Sequence, residues 1–359
     1  MMNSRFLQLA KKINCFYLNG ILKGECRPFF VDGKQVGLIR PDVVNKLLNY
    51  PEVFIVRESD LDGRVSNSSS VAIKKEPMDF SSIIFHCNPL KKGIIELNPA
   101  FRDYNERTSK VEQVLLELRE KDEFITLRGW RDEYYEVKDT NSSCLLKMDR
   151  SATPIFAIRN YGVTINGYVK HPELGLCIWF QQRSDTKQTW PGFWDNMVSG
   201  GVTVGYGIKE TAIKESQEEA SVPLPFLENL VSAGSVSFFF ESERGLFPNT
   251  EYVFDLELPV DFQPKCIDGE VQAFELMPLT KCLDWICSPK FKTTSAPVVL
   301  DFLIRHGIIT PENEPNFSEI VELIHVPLQS LYKLSLVTSN GKNGFSSHGS
   351  PTHQSPINE

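Results

Sequence analysis

Apolar and polar positions follow several periods along the chain, and each period predicts one kind of element. Five apolar residues near the N-terminus recur at the spacing of an amphipathic helix: Phe6, Leu7, Leu9, Ala10 and Ile13. Residues 29–40 (FFVDGKQVGLIR) predict a β-hairpin, because Asp32-Gly33 favours its turn. A second helix is predicted over 41–48, where Pro41 suits the first helical position.

One strong helix and one strand are predicted between this hairpin and the middle of the chain. Residues 108–119 predict a helix with Thr108 at its N-cap. Its apolar stripe consists of Val111, Val114, Leu115 and Leu118. Residues 124–137 predict a strand, whereas the polar residues 57–78 predict a surface loop. Together these elements indicate a smaller α+β domain over residues 1–150.

Strands alternate with helices in the rest of the chain, which is typical of a layered α/β domain. The predicted strands are 161–169, 174–182, 235–241, 251–258 and 270–277, and the predicted helices are 209–220 and 296–306. This domain is predicted over 151–310, and a helical extension is predicted over 311–338. Residues 339–359 predict a disordered tail, because they offer little to bury.

The composition excludes some classes of function and leaves others open. The 359 residues carry a net charge of −8 and are 41% hydrophobic, as in a soluble globular protein. This charge argues against binding nucleic acid through a basic surface, but a bound cation would still allow a phosphorylated substrate. No apolar run reaches the ~20 residues of a membrane-spanning helix. The eight cysteines have no CxxC pair and no zinc-site spacing, which favours free thiols in a reducing compartment.

The basic N-terminus raises the question of a targeting segment. Arg5, Lys11 and Lys12 precede the first acidic residue, Glu25, which weakly resembles a mitochondrial presequence. The same stretch fits the amphipathic helix of a folded domain, and we favour that interpretation. The prediction is therefore a cytoplasmic protein, with mitochondria as the alternative.

The predicted helix 209–220 carries a cluster of acidic residues. Glu215, Glu218 and Glu219 are spaced i, i+3 and i+4, so they share one helix face. Carboxylates this close repel one another unless a cation joins them, and Mg²⁺ takes such oxygen ligands. Lys214 can pair with Glu218 and hold it in place. The opposite side is small or apolar and suits packing on a sheet; it comprises Ala212, Ile213, Ser216 and Ala220.

Taken alone, this acidic spacing is also that of a solvated surface helix, so the residues upstream matter to the interpretation. Residues 199–205 (SGGVTVG) form a strand-to-loop segment whose glycines allow close approach to a ligand. The loop and the helix together resemble the Nudix box, G-x5-E-x7-R-E-U-x-E-E-x-G-U with U bulky and apolar, through Gly200, Gly201, Lys214, Glu215, Glu218 and Glu219. Other residues replace four positions of the box: Tyr206 the first Glu, Lys214 the Arg, Ser216 the first apolar residue and Ser221 the late Gly.

Further short motifs resemble the Nudix domain related to fungal thiamine pyrophosphokinases. They are Tyr161-Gly162-Val163, Asn166-Gly167-Tyr168-Val169, Trp190-Pro191-Gly192, Asp195-Asn196, Asp255-Leu256-Glu257-Leu258-Pro259 and Asp268-Gly269-Glu270-Val271. The first domain is similar to the one that precedes it in that family, notably at 129–133 (GWRDE) and Tyr135. The likeness covers residues 5–310. Thr164 departs from it, because the family often has His there.

The resemblance implies a Nudix α/β/α sandwich with a mixed sheet, and a hydrolase that cleaves an organic diphosphate with water. It implies Mg²⁺, or Mn²⁺ in its place, held by Glu215, Glu218 and Glu219. One of three carboxylates would act as the general base: Glu215, Glu219 or Glu270.

Several residues near the glycine loop are expected to contact the substrate. They are Arg183, Trp190, Gly200, Gly201 and Lys214. Alternatives stay open for three residues near the loop. Arg183 can be an exposed charge at a strand end, Trp190 can fill the core, and Glu270 can be an ordinary turn residue.

By the same resemblance, the expected substrate is thiamine diphosphate or its oxidised analogues (oxothiamine and oxythiamine diphosphate), giving the monophosphate and phosphate. No kinase signature is present, so a stand-alone hydrolase that clears damaged cofactor is expected. The alternatives are a phosphatase of oxidised nucleotides such as 8-oxo-dGDP and a non-catalytic Nudix-fold binding protein. An isomerase of isopentenyl diphosphate would need a cysteine within 196–201, where none occurs. Neither nucleic acid nor a membrane is an expected partner, and a homodimer is left open.

Overall fold

The computed structural model describes residues 4–20, 23–58, 71–74 and 92–338. Within these ranges two β-sheets form the centres of two packed units. The predicted disordered tail at 339–359 and most of the predicted loop at 57–78 lie outside the described residues. Every helix in the described part of the chain is too short or too polar to cross a membrane.

The first sheet has six strands in the order β3-β5-β1-β2-β15-β4. They span Arg27–Val31 (β1), Lys34–Ile39 (β2), Phe54–Arg57 (β3), Val71–Lys74 (β4), Ile94–Leu97 (β5) and Ser335–Thr338 (β15). β1 and β2 form the predicted hairpin, in which Asp32 and Gly33 have φ of 51° and 69°. Positive φ at both central residues is typical of a two-residue hairpin turn. The hairpin prediction is confirmed.

Among the described residues, four α-helices belong to the first half of the chain. They span Arg5–Lys12 (α1), Cys15–Asn19 (α2), Pro41–Leu47 (α3) and Tyr104–Glu120 (α4). The prediction that Thr108 caps the last of these helices is wrong. α4 begins earlier, because the Asp103 carboxylate accepts a hydrogen bond from Glu106 N at 2.8 Å. Thr108 is instead buried inside the helix, and its hydroxyl accepts a hydrogen bond from Lys147 N at 3.1 Å.

The predicted strand at 124–137 is wrong in its first half. Ile125–Gly129 forms a 3-10 helix, and only Tyr134–Lys138 (β6) is extended. Asp132 has a φ of 59°, a left-handed conformation that a continuous strand does not allow. β6 pairs with Cys144–Asp149 (β7) in a separate two-stranded sheet. Further 3-10 helices span Lys23–Glu25, Arg150–Ile155 and Leu328–Tyr332.

The second sheet has seven strands and is mixed. Its main order is β10-β9-β8-β13-β12, while β11 also pairs with β8 and β14 with β9. The strands span Asn160–His171 (β8), Gly175–Arg183 (β9), Trp194–Asn196 (β10), Val198–Gly201 (β11), Val231–Ser242 (β12), Gly245–Glu257 (β13) and Val271–Pro278 (β14). β13 runs parallel to β8, whereas β9 and β11 run antiparallel to different halves of it.

Helices cover both faces of this second sheet. On one face Ile208–Ala220 (α5) and Leu224–Leu227 (α6) pack over a core that includes Val163 and Val198. On the other face α1 and three further helices pack around Ile178 and Phe180. These helices span Leu279–Trp285 (α7), Ala296–Arg305 (α8) and Phe317–Leu323 (α9). The fold is an α/β/α sandwich with a mixed sheet, preceded by a smaller α+β unit, and the predicted fold class is confirmed.

We call the sandwich the second unit, and the first sheet with α3, α4, β6 and β7 the first unit. The first helix of the described chain packs in the second unit, and its last strand belongs to the first. Phe6, Leu7 and Ala10 of α1 are buried in the second unit, so the predicted amphipathic helix belongs to the fold. β15 instead joins the first sheet, and Tyr332 before it donates a hydrogen bond to Ala157 O at 2.9 Å. The domain boundaries at 150, 310 and 338 stay predictions.

Candidate active site

Helix α5 carries the predicted acidic cluster on a firmly held scaffold. At its start Glu210 accepts a hydrogen bond from Gly207 N at 2.8 Å. At its end Ser221 has a φ of 52°, a left-handed conformation that glycine adopts at lower cost. The late glycine of the box would suit this position, and Ser221 replaces it here. The small side of the helix packs on the sheet as predicted, through the buried Ala212, Ser216 and Ala220.

Two glycines of β11 let neighbouring side chains reach the surface of the strand. A Cβ on Gly200 would lie 2.4 Å from Cδ of Glu215. A Cβ on Gly201 would lie 1.6 Å from Oη of Tyr135, which belongs to β6 of the first unit. Contacts this short do not occur between non-bonded atoms, so a side chain at either position would force Glu215 or Tyr135 to move.

Glu219 lies buried beneath β11, with 2% of its surface exposed. Its Oε2 accepts hydrogen bonds from Ser199 N at 2.9 Å and from Gln181 Nε2 at 3.1 Å. Burial, and then the charges of Glu215 and Asp195, raise the pKa of Glu219 to about 8, although the Ser199 hydrogen bond lowers it. A cation beside this carboxylate would favour its ionised form.

Glu215 and Glu218 face the ammonium group of Lys214. Lys214 Nζ lies 2.7 Å from Glu218 Oε2, which is the predicted i,i+4 pair, and 3.3 Å from Glu215 Oε1. Burial raises the pKa of Glu215, despite Lys214, and the charges of Glu218 and Glu270 act in the same direction. Within the described ranges, no three His, Cys, Asp or Glu side chains are grouped closely enough to hold a metal ion as they stand. The metal site at Glu215, Glu218 and Glu219 stays a prediction.

The chemistry of these three side chains nevertheless fits a divalent cation. All three are carboxylates on neighbouring turns of one helix, and hard cations such as Mg²⁺ take oxygen ligands of this kind. The raised pKa values of Glu215 and Glu219 show that nearby positive charge does not offset their burial. These residues would therefore hold such an ion.

A cavity of about 640 Å³ opens beside helix α5, between the two units. Its volume is in the range of small-molecule sites. Most residues of the predicted site come together on its wall, namely Arg183, Trp190, Gly200, Gly201, Lys214, Glu215, Glu218 and Glu270. Glu219 lies behind this wall, beneath β11. The first unit also lines the cavity, through Arg131, Glu133, Tyr135 and Arg150.

Arg183 is held in a buried ion-pair network and is not an exposed strand-end charge. Its guanidinium donates hydrogen bonds to Thr189 O at 3.1 and 3.2 Å and to Asp195 Oδ2 at 3.3 Å. Lys292 Nζ donates to the same oxygen at 2.7 Å. Burial alone would raise the pKa of Asp195, but Lys292 and Arg183 outweigh it and hold this pKa at about 2. Much of the hydrogen-bonding capacity of Arg183 is used inside the protein, and its phosphate contact stays a prediction.

Trp190 and Glu270 reach the cavity from different surroundings. Trp190 is half-buried and meets Phe193 edge to face, with the ring centres 5.1 Å apart. Its indole lines the cavity and is therefore available to stack on a planar substrate ring. Glu270 is half-exposed and forms an ion pair with Lys187, which also lines the cavity.

Glu251 was not predicted as a site residue, yet it lines the cavity. Its Oε2 accepts a hydrogen bond from Thr164 Oγ1 at 3.4 Å. Its pKa is raised to about 7, mainly by burial. One signal was available, because strand alternation places Glu251 on the same face as the apolar Val253. The pairing of β13 with β8, which brings Glu251 opposite Gly162, is not visible in the sequence.

Two family models match consecutive parts of the chain. Residues 5–160 match a domain of unknown function (DUF4743), and residues 161–302 match the NUDIX domain. Among similar proteins, an uncharacterized protein of Saccharomyces cerevisiae is 37% identical over 243 residues, which cover 64% of this chain and 71% of that protein. The Arabidopsis thaliana protein named Nudix hydrolase 20, chloroplastic, is 31% identical over 292 residues, which cover 81% of this chain and 70% of that protein. Among solved structures, a MutT protein from Methanosarcina mazei Go1 has 21% identity and a TM-score of 0.33, over 42% of this chain and 96% of that chain.

Proposed function

Because the chain belongs to the Nudix hydrolases, we propose that it hydrolyses thiamine diphosphate, or an oxidised analogue of it, to the monophosphate and phosphate. Enzymes of this family act on diphosphate-containing substrates and generally use divalent metal ions. Mg²⁺ as the metal, with Mn²⁺ as the alternative, is part of the proposal. The narrower substrate rests on the motifs that resemble the thiamine pyrophosphokinase-related family, such as GWRDE at 129–133.

The observation that carries the proposal is the position of this motif at the cavity. Arg131 of the motif and Tyr135 just after it line the same cavity as Glu215 and Glu218. The cavity has room for an organic diphosphate, and Trp190 offers an aromatic surface for a planar ring. The motif that suggests the substrate and the acids that suggest the chemistry therefore face one space.

In this proposal the carboxylates of α5 hold the divalent cation. The ligands would be Glu215, Glu218 and Glu219, and Lys214 orients Glu218 through their ion pair. When bound, such a cation neutralises phosphate charge and makes a water molecule more acidic. Gly200 contributes by leaving space for the Glu215 side chain beside β11.

Three carboxylates are candidates for accepting the proton of the attacking water: Glu215, Glu219 and Glu270. Glu215 and Glu219 belong to helix α5, so each would have to combine this role with cation binding. Glu270 stands apart from the helix and forms an ion pair with Lys187, so it could act as the base without also binding the cation. All three remain in the proposal.

Phosphate release with Mg²⁺ tests the proposed substrate. We would assay oxothiamine diphosphate, thiamine diphosphate and 8-oxo-dGDP at equal concentrations and compare kcat/KM. One of the two thiamine compounds is expected to be the best substrate. Turnover of 8-oxo-dGDP alone would replace the proposed substrate by an oxidised nucleotide, and turnover of none of the three would contradict the proposal.

A further inference from the structure

Three arginines stand together where the first unit lines the cavity. Arg131 precedes β6, Arg150 follows β7, and Arg244 lies in the turn between β12 and β13. Arg244 Nη2 is 3.8 Å from the place that a Cβ on Gly129 would occupy, so this turn of the second unit closes on the first. All three arginines line the cavity.

Negative charge compensates this cluster only in part. Arg150 Nη1 lies 3.2 Å from both carboxylate oxygens of Glu133, and Arg131 Nη1 lies 4.0 Å from one of them. In the part of the chain that the structure describes, Arg244 forms no ion pair, although Glu243 is its neighbour. Burial lowers the pKa of Arg131 and of Arg244, and the charges of the neighbouring arginines act in the same direction. Arg131 and Arg150 thus share the Glu133 carboxylate at ion-pair distance, and Arg244 has no such partner among the described residues.

Tyr135 connects the arginine cluster to the loop that precedes the acidic helix. The Arg150 guanidinium lies over the Tyr135 ring, 5.5 Å from its centre, and Oη of this tyrosine packs on Gly201. Next to it, Tyr134 O accepts a hydrogen bond from Val204 N at 3.0 Å, which ties β6 to the loop after β11. The Tyr135 side chain therefore lies between Arg150 and β11, the strand that precedes α5.

We propose that Arg131, Arg150 and Arg244 form an anion-binding subsite, through which the first unit binds a phosphate group of the substrate. Guanidinium groups bind phosphate oxygens through paired hydrogen bonds. A half-buried cluster with incomplete compensation has donors left for such a ligand. The inference rests on the proposed function only in assigning the phosphate to an organic diphosphate. It gives the domain of unknown function a part in substrate binding.

Binding of inorganic pyrophosphate, measured by calorimetry in the presence of EDTA, tests this subsite without turnover. Without divalent cations the acids of α5 repel the anion. The arginine variants then separate the contribution of this cluster from that of Lys187 and Lys214, which also line the cavity. Arg131→Gln and Arg244→Gln are each expected to raise the Kd about tenfold, through the loss of charged hydrogen-bond donors. Arg128→Gln is the matched control, because Arg128 is 61% exposed and pairs with Asp122 in the same unit.

If Arg131→Gln folds poorly, Arg244→Gln still tests the subsite. Arg244 forms no ion pair among the described residues, so its replacement breaks none. A wild-type Kd in Arg244→Gln would overturn the subsite. So would an equal rise in Arg128→Gln, or a wild-type protein that does not bind pyrophosphate. A protein that binds pyrophosphate through these arginines but turns over no thiamine compound would contradict the proposed function and leave the subsite standing.

Discussion

Two buried acids, Glu219 and Asp195, illustrate how a neighbouring cation decides the charge of a carboxylate. Both are almost fully buried, and burial raises the pKa of each. Lys292 and Arg183 lie within ion-pair distance of Asp195 and hold its pKa at about 2. Glu219 lies in no ion pair within the described ranges, and its pKa is about 8. A divalent cation at Glu219 would supply the charge that Asp195 receives from its two partners.

Asp195→Asn is expected to lower the free energy of unfolding by about 3 to 5 kcal/mol at neutral pH, because it leaves Lys292 and Arg183 without their carboxylate. The pKa of Asp195 is lower in the folded than in the unfolded chain. Its stabilisation is therefore complete above about pH 4 and is lost as the pH falls through about 2. Urea denaturation at several pH values should show the difference between wild type and variant shrinking at the acidic end.

The control for this experiment is Asp261→Asn, which changes an exposed aspartate in the same way. Its unfolding free energy should stay within about 0.5 kcal/mol of the wild type. A loss in Asp195→Asn that does not change with pH would contradict the ion-pair account.

The acids of α5 could be found in the sequence because helical spacing is a local property. The spacing of Lys214 and Glu218 also predicted their ion pair, which the structure confirms at 2.7 Å. Lys292 and Asp195 are 97 residues apart in the sequence, and only the packing of the folded chain brings them together. No local period reports such a contact, and the same applies to Glu251.

Strand β11 is the element on which helix α5 and the first unit converge. Gly200 makes room for Glu215 of α5, and Gly201 makes room for Tyr135 of β6. The strand thus sets the distance between the acidic helix and the first unit. A side chain at either glycine would push one of these neighbours away.

Gly201→Ala is expected to lower the free energy of unfolding by about 1 to 3 kcal/mol, because its Cβ would meet the Tyr135 hydroxyl. Tyr135→Ala removes the ring that this Cβ meets. The double variant should therefore lose less stability than the sum of the two single variants. Urea denaturation of the four proteins measures this coupling.

Gly207→Ala, combined with Tyr135→Ala, provides the matched control pair. A Cβ on Gly207 would come no closer than 3.3 Å to another atom, which belongs to Glu210 of the same helix. Additive losses are expected for this pair. Additive losses for Gly201→Ala with Tyr135→Ala would show that a clash between the new Cβ and the Tyr135 ring is not the cause of the lost stability.

Most elements could be predicted because their signals are local. The helix expected at 209–220 is observed as Ile208–Ala220, since its apolar spacing lies within this stretch and Pro223 follows shortly after its end. The strand that the sequence predicts over 124–137 is wrong in its first half, because alternation does not reveal the positive φ of Asp132. Similarly, Asp103 and Thr108 are both good N-cap residues, and only the fold decides between them.

At the scale of the whole molecule, both units line one cavity, and each contains one end of the described chain. The C-terminal strand β15 completes the first sheet, and the N-terminal helix α1 packs into the second unit. The alternating elements predict a layered α/β domain after a smaller α+β domain, and the family resemblance implies the α/β/α sandwich. No local pattern shows that the first unit lines the site, because that depends on contacts between distant segments, such as the hydrogen bond from Val204 N to Tyr134 O.

The most direct test of the account is phosphate release by wild type and by Glu219→Gln, each with Mg²⁺ and with EDTA, on the best substrate of the assay. Glutamine can still accept the hydrogen bond from Ser199 N, so the variant removes charge and keeps the contact. We predict that kcat/KM falls at least about a hundredfold in Glu219→Gln, that EDTA abolishes wild-type activity, and that the exposed control Glu228→Gln matches wild type. Wild-type turnover by Glu219→Gln, or full activity in EDTA, would contradict metal-dependent hydrolysis at helix α5.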